Sequence, residues 1–122
     1  MKIFLVEDSD VILAHLRCVV SEIAGAEVVA DADNQAAAIA GISALRPDVA
    51  ILDLTLASGS GIEVLRHIKQ QRPDIKAVVL SNRSEPPYRK RCMALGADLF
   101  LDKSRDFECL KQHLVELTAA PG

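Results

Sequence analysis

Five polar side chains follow four of the apolar segments in this 122-residue chain. Glu7 and Asp8 come after the first of these segments, Asp53 after the second, Ser81 after the third and Lys103 after the fourth. If the four segments are parallel strands of one sheet, their carboxyl ends meet at one edge. The five groups would then converge on a single site built from strand ends.

The residue types at this edge suit phosphoryl transfer to a carboxylate. Three carboxylates placed together repel one another unless a cation lies between them, and an all-oxygen ligand set completed by water favours Mg²⁺. Lys103 can hold an anionic oxygen, and Ser81 can donate a hydrogen bond to one. The sequence has no glycine-rich loop of the G-x-x-x-x-G-K-[ST] type, so a bound nucleotide is not the expected donor.

Each of these groups also has an ordinary structural explanation when it is taken singly. Asp8 or Ser9 could cap a helix, Asp53 could be a loop residue and Lys103 could be a solvated surface lysine. Their joint placement at four strand ends favours a functional site.

Strands and helices alternate along the chain. Short apolar runs predict strands, while helical periodicity, caps and flanking Gly or Pro predict helices. We predict strands over 2–6, 27–32, 48–53, 75–80 and 98–102, and helices over 9–23, 34–45, 60–71, 86–96 and 107–117. This order requires a parallel sheet covered on both faces, which is a doubly wound α/β domain.

Composition narrows the class of protein further. A net charge of −3 argues against direct nucleic-acid binding, although Arg89, Lys90 and Arg91 form a basic run. The three cysteines have no metal-site or disulfide spacing, and we expect them to be small buried or half-buried residues in a reducing compartment. The first apolar run is too short for a signal peptide or a membrane span, so we expect a cytoplasmic protein with no membrane association.

The chain resembles the receiver domain of bacterial two-component response regulators over essentially its whole length. The resemblance rests on Glu7-Asp8, on Asp53-Leu54-Thr55-Leu56 with Gly61 eight residues after the aspartate, on Ser81, and on the run from Gly96 to Lys103. It implies a flavodoxin-like sheet with strand order 2-1-3-4-5. It also implies a stand-alone receiver domain over 1–122 without an output domain.

The resemblance assigns expected roles at the site. Asp53 would accept a phosphoryl group from a histidine kinase or a phosphotransfer protein, and Lys103 would contact that group. Asp8, Asp53 and the backbone carbonyl of Thr55 would bind Mg²⁺, with Glu7 acting through water. The protein would not be an enzyme beyond its own phosphorylation and dephosphorylation.

Signalling would follow from a shift between two states. Ser81 would turn toward the phosphoryl group, and Phe100 would rotate inward into the space that Ser81 leaves. The fourth helix, fifth strand and fifth helix would present the change to a downstream protein. By resemblance alone, the same face would also support a homodimer.

Three positions depart from the usual pattern of the family. Ala57 and Ser104 stand where proline is usual, and Asn82 stands where a small residue is usual. We expect Asn82, Arg83 and Thr55 to tune the lifetime of the phosphoryl group. Two alternatives stay open, namely a phosphate-independent docking module and a phosphatase of the haloacid-dehalogenase type.

Overall fold

The computed structural model of the protein describes residues 1–56, 58–82 and 86–118. Its strands are β1 (Lys2–Val6), β2 (Glu27–Ala32), β3 (Val49–Leu52), β4 (Lys76–Ser81) and β5 (Leu99–Asp102). Its helices are α1 (Asp10–Ser21), α2 (Gln35–Leu45), α3 (Gly61–Gln71), α4 (Pro86–Ala94) and α5 (Leu110–Thr118). The five strands are parallel and lie in the order β2-β1-β3-β4-β5, which confirms the predicted fold.

Both faces of the sheet are buried. Ile3 and Leu5 of β1 lie in a cluster with residues of α1 and α5, whereas Phe4 and Val6 lie in a second cluster with residues of α2, α3 and α4. Successive side chains of a strand point to opposite faces, so each inner strand must be apolar at every position between its two ends. This explains why the predicted strands are uninterrupted apolar runs.

The predicted elements are all present, and the differences lie at their ends. β3 ends at Leu52 rather than at 53, which leaves Asp53 just outside the strand. The fourth helix ends at Ala94 rather than at 96, because Gly96 adopts φ +103° and the Ala97 amide donates to the Cys92 carbonyl at 3.1 Å. The predicted helix over 107–117 begins with a 3-10 turn, Phe107–Cys109.

The expectation for the cysteines is wrong at two of three positions. Cys92 is buried, but Cys18 and Cys109 are exposed. Cys18 lies on the solvent side of α1, and Cys109 lies in the turn that precedes α5. Composition gave no information on which face of an element would carry a thiol.

None of the described helices has the length and apolar character that crossing a lipid bilayer requires.

A polar network joins α3, β4 and β5 at the end of the sheet opposite the predicted site. The Asp98 carboxylate accepts hydrogen bonds from the Ala77 amide at 2.8 Å and from Lys69 Nζ at 2.9 Å. Lys69 Nζ also donates to the carbonyl of Ile75 at 2.8 Å. The network fixes where β4 and β5 begin.

We expect Asp98→Ala to lower the free energy of unfolding by about 1–3 kcal/mol, because it removes the side-chain acceptor of the Ala77 amide and the anionic partner of the Lys69 ammonium. Urea denaturation followed by circular dichroism measures this loss. Asp74→Ala is the matched control, since Asp74 is an exposed carboxylate just before β4, and should change stability by less than about 0.5 kcal/mol. Equal losses in the two variants would contradict the role assigned to the network.

Candidate functional site

The carboxyl edge of the sheet carries an open cavity of about 450 Å³. Glu7, Asp8, Asp53 and Lys103 all line it. The first three are brought together by the pairing of β1 with β3, in which Val6 lies opposite Leu52 and the Asp53 amide donates to the Val6 carbonyl at 2.9 Å. Four of the five groups predicted at strand ends therefore share one cavity.

Lys103 is the cation of this cavity. Its Nζ lies 2.6 Å from Glu7 Oε1 and 3.2 Å from Asp53 Oδ2, and its side chain is only 10% exposed. Burial by itself would lower the pKa of Lys103, but the hydrogen bond to Glu7 and the negative charges of Asp53 and Glu7 outweigh burial and raise it. The lysine is therefore charged at neutral pH and offsets part of the repulsion among the carboxylates.

Three carboxylates could hold a metal ion here. Glu7, Asp8 and Asp53 each offer an oxygen, and these oxygens lie within 4.8 Å of one another. Asp8 is exposed to the cavity, while Glu7 and Asp53 are buried. Oxygen donors beside an open, water-accessible cavity suit a hard divalent cation such as Mg²⁺. The donor set therefore fits the predicted metal.

Both oxygens of Glu7 already have partners. Oε1 contacts Lys103, and Oε2 accepts hydrogen bonds from the amides of Asp8 at 3.0 Å and Ser9 at 3.3 Å. The carboxylate thus holds the turn that leads from β1 into α1. That turn ends at Ser9, whose side chain caps α1 as the sequence predicted.

The loop after Asp53 is held by α2, which sequence reasoning did not foresee. The Thr55 amide donates to Asp53 Oδ1 at 3.3 Å. Farther along, the Gln35 amide donates to the Ser58 carbonyl at 3.0 Å, and Gln35 Oε1 accepts from the Ser60 amide at 3.0 Å. The predicted helix over 34–45 places the start of α2 correctly, and Asn34 caps it, but nothing in the sequence indicated that this start would contact the loop after Asp53.

Gly61 allows the chain to pass directly over the backbone of Asp53. A Cβ atom at Gly61 would lie 1.9 Å from the Asp53 carbonyl oxygen, far inside contact distance. The Gly61 amide also donates to the Leu54 carbonyl at 3.0 Å. The glycine is required for this close approach.

Ser81 and Phe100 do not line the cavity wall, and Ser81, which was predicted to follow the strand over 75–80, is the last residue of β4. Ser81 is 1% exposed. Among the described residues, its neighbour Asn82 lines the cavity instead. Phe100 is buried, and the Arg89 guanidinium lies 4.8 Å from its ring centroid while donating to its carbonyl at 3.2 Å. Sequence reasoning took Arg89 only as part of a basic run and missed this contact.

Two of the positions singled out in the sequence, Ala57 and Arg83, lie outside the described residues. Thr55, Asn82 and Ser104 all line the cavity. The described part of the chain has no cis peptide bond, so the bond from Lys103 to Ser104 is trans.

A family model, the response regulator receiver domain, matches residues 3–115. Response regulator GacA of Pseudomonas aeruginosa is 29% identical over 98% of this chain and 56% of its own length. The DNA-binding transcriptional activator DevR/DosR of Mycobacterium tuberculosis is 32% identical over 84% of this chain and 48% of its own length. The chain therefore spans about half the length of these curated relatives.

Solved structures share the fold over nearly the whole chain. The Mn(2+)-bound form of response regulator Rcp1 is 27% identical with a TM-score of 0.85, covering 98% of this chain and 96% of that one. The phosphorylated cyanobacterial phytochrome response regulator RcpA is 29% identical with a TM-score of 0.84 and the same coverage.

We expect Gly61→Ala to weaken Mg²⁺ binding by at least about tenfold, because the new methyl group must displace the Asp53 carbonyl and with it the carboxylate. A Mg²⁺ titration followed by NMR measures the affinity. Gly25→Ala is the control, since a Cβ there would meet no atom within 4 Å, and the strain from its positive φ of +79° lies away from the cavity. Similar Mg²⁺ affinities in the two variants would contradict the packing argument.

The raised pKa of Lys103 predicts a change in stability at high pH. Because the pKa of Lys103 is raised in the folded state, its charge stabilises the fold fully below the ordinary value of 10.5. This stabilisation is lost as the pH rises through the folded-state pKa. In metal-free buffer, the difference in unfolding free energy between the wild type and Lys103→Met should therefore shrink above that pH. A difference that stays constant across this range would show that the lysine charge does not stabilise the fold.

Proposed function

The chain belongs to the response regulator receiver domain family of two-component signalling, and from this premise we propose that Asp53 accepts a phosphoryl group in a Mg²⁺-dependent reaction. One observation carries the proposal. The Asp53 carboxylate lies beside an open cavity, 3.2 Å from the Lys103 ammonium and within 4.8 Å of two further carboxylate oxygens. This arrangement places a nucleophile, a fixed cation and metal ligands at one point.

The transfer itself is a substitution at phosphorus. A carboxylate oxygen of Asp53 forms a bond to phosphorus as the bond from phosphorus to the kinase imidazole nitrogen breaks, and the imidazole leaves with the electron pair of that bond. Lys103 lies within reach of the transferred oxygens and offsets their negative charge. The Thr55 amide, which donates to Asp53 Oδ1, orients the carboxylate.

Asp8, Asp53 and the Thr55 carbonyl would hold Mg²⁺, with Glu7 acting through water. When bound, the ion neutralises charge on the carboxylates and on the transferred phosphoryl group. The exposure of Asp8 and the engagement of both Glu7 oxygens support this division of roles. The Mn(2+)-bound state of the similar regulator Rcp1 also supports a divalent cation.

The signal would leave the site through Ser81 and Phe100. Phosphorylation biases two conformations only as far as the phosphoryl group contacts them differently, and a buried hydroxyl at the end of β4 can supply that difference. The surface of α4, β5 and α5 would then bind a downstream protein or a second copy of the chain. Asn82, Thr55 and Arg83 would set the lifetime of the phosphorylated state.

We also propose a cellular compartment and partners for the chain. The phosphoryl donor would be a histidine kinase or a phosphotransfer protein, and the receiver would act in the cytoplasm without itself binding nucleic acid. It would not be an enzyme acting on a separate substrate.

Two other functions are less well supported. A phosphatase of the haloacid-dehalogenase type needs a second aspartate two residues after its nucleophile, and Thr55 stands there. A phosphate-independent docking module would not need a lysine and three carboxylates around one cavity, although Asn82 in the cavity wall could slow phosphoryl transfer.

We expect incubation with acetyl phosphate and Mg²⁺ to add one phosphoryl group to the protein, as measured by intact mass. Asp53→Asn and a metal-free sample should show no adduct, because the first lacks the nucleophile and the second lacks charge neutralisation. An adduct that persists in Asp53→Asn would place the acceptor elsewhere. No adduct in the folded wild type, with either acetyl phosphate or a histidine kinase, would favour the docking module.

A further inference from the structure

Asp102 is a buried carboxylate at the end of an otherwise apolar strand. It is 7% exposed, and one of its oxygens, Oδ1, accepts three hydrogen bonds. The donors are the Ser104 amide at 2.8 Å, the Ser104 hydroxyl at 2.6 Å and the Arg105 amide at 3.0 Å. A charge this far from solvent is costly unless it is fully bonded, so the side chain must organise the turn around it.

The turn that Asp102 organises contains Lys103. The Lys103 amide donates to the Ser81 carbonyl at 2.9 Å. The Asp102 amide donates to Asp106 Oδ2 at 2.8 Å, and the Asp106 amide returns a bond to the Asp102 carbonyl at 2.8 Å. The backbone of Lys103 is therefore fixed by bonds on both sides, while its side chain reaches Glu7 and Asp53.

We propose that Asp102 is a positioning residue for phosphoryl transfer, which holds Lys103 in place through its hydrogen bonds to Ser104 and Arg105. Lysine has a long flexible stem, so the place of its ammonium group depends on the direction in which the backbone points it. A proline at 104 would restrict that backbone covalently. Here a carboxylate and a serine hydroxyl restrict it by hydrogen bonds, across a trans peptide bond.

The effect of Asp102 on phosphoryl transfer rests on the proposed function, but its effect on the position of Lys103 can be tested separately. Asp102→Ala removes the acceptor, Asp102→Asn keeps an oxygen at Oδ1, and Ser104→Ala removes one of the three bonds. Asp98→Ala is the matched control. Asp98 also accepts a hydrogen bond from a backbone amide and lies next to β5, but at the opposite end of that strand.

The first readout is the rate of adduct formation with acetyl phosphate and Mg²⁺. Asp102→Ala should lower this rate by about ten- to a hundredfold, the penalty expected when a reacting group is misplaced by about 1 Å. Asp102→Asn should recover most of the loss, and Asp98→Ala should leave the rate unchanged in folded protein. In a Lys103→Met background, Asp102→Ala should cause no additional loss, because the two residues act as one unit.

The second readout does not depend on phosphorylation. The ammonium ¹⁵N–¹H signal of Lys103, assigned by its absence from Lys103→Met, reports the contacts with Glu7 and Asp53. At a fixed pH it should shift or broaden in Asp102→Ala and stay in place in Asp102→Asn and Asp98→Ala. If Asp102→Ala does not fold, Ser104→Ala should give a smaller change of the same kind.

An unchanged Lys103 signal in Asp102→Ala, or in Ser104→Ala if the first variant does not fold, would overturn the inference. An equal loss of rate in the wild-type and Lys103→Met backgrounds would also overturn it. A wild-type protein that forms no adduct would instead count against the proposed function, and the ammonium signal would still decide whether Asp102 positions the lysine.

Discussion

Burial of both faces of the parallel sheet is the constraint on which the rest of the structure depends. Between their first and last residues the inner strands β1, β3 and β4 carry only apolar side chains, so water and charge can reach them only at their ends. Parallel pairing then places all the carboxyl ends on one edge, where Glu7, Asp8, Asp53 and Lys103 leave their strands together. The site is thus a consequence of the way in which the core is built.

The charged side chains at that edge leave an excess of negative charge. One lysine faces three carboxylates, and two of these are buried. Under the proposed function, a hard divalent cation bound here would offset the negative charge that Lys103 leaves uncompensated. The same arrangement ties stability to the charge of Lys103, since the lysine is the group that compensates Glu7 and Asp53 when no metal is bound.

Backbone contacts, more than side-chain packing, fix the loops around the site. Gln35 holds the loop after Asp53 from the start of α2, Gly61 lets the chain cross the Asp53 carbonyl, and Asp102 closes the turn around Lys103. Each of these residues acts by satisfying or making room for a main-chain group. Preorganisation of this kind allows short loops to present reactive groups without a large core beneath them.

The sequence by itself determined the order of strands and helices, the burial of both sheet faces and the identity of the charged groups at the strand ends, because these follow from local periodicity and from the geometry of parallel pairing. Tertiary structure alone decided that Gln35 would hold the loop after Asp53, that Arg89 would stack on Phe100, and that Cys18 and Cys109 would be exposed. The turn built by Asp102 and Ser104 was partly predictable. An Asp two residues before a Ser is a local turn signal, but the burial of the Asp102 carboxylate is decided by the tertiary structure. Contacts between elements that are distant in sequence depend on how each helix is rotated and packed against the sheet. A local sequence pattern does not determine that rotation.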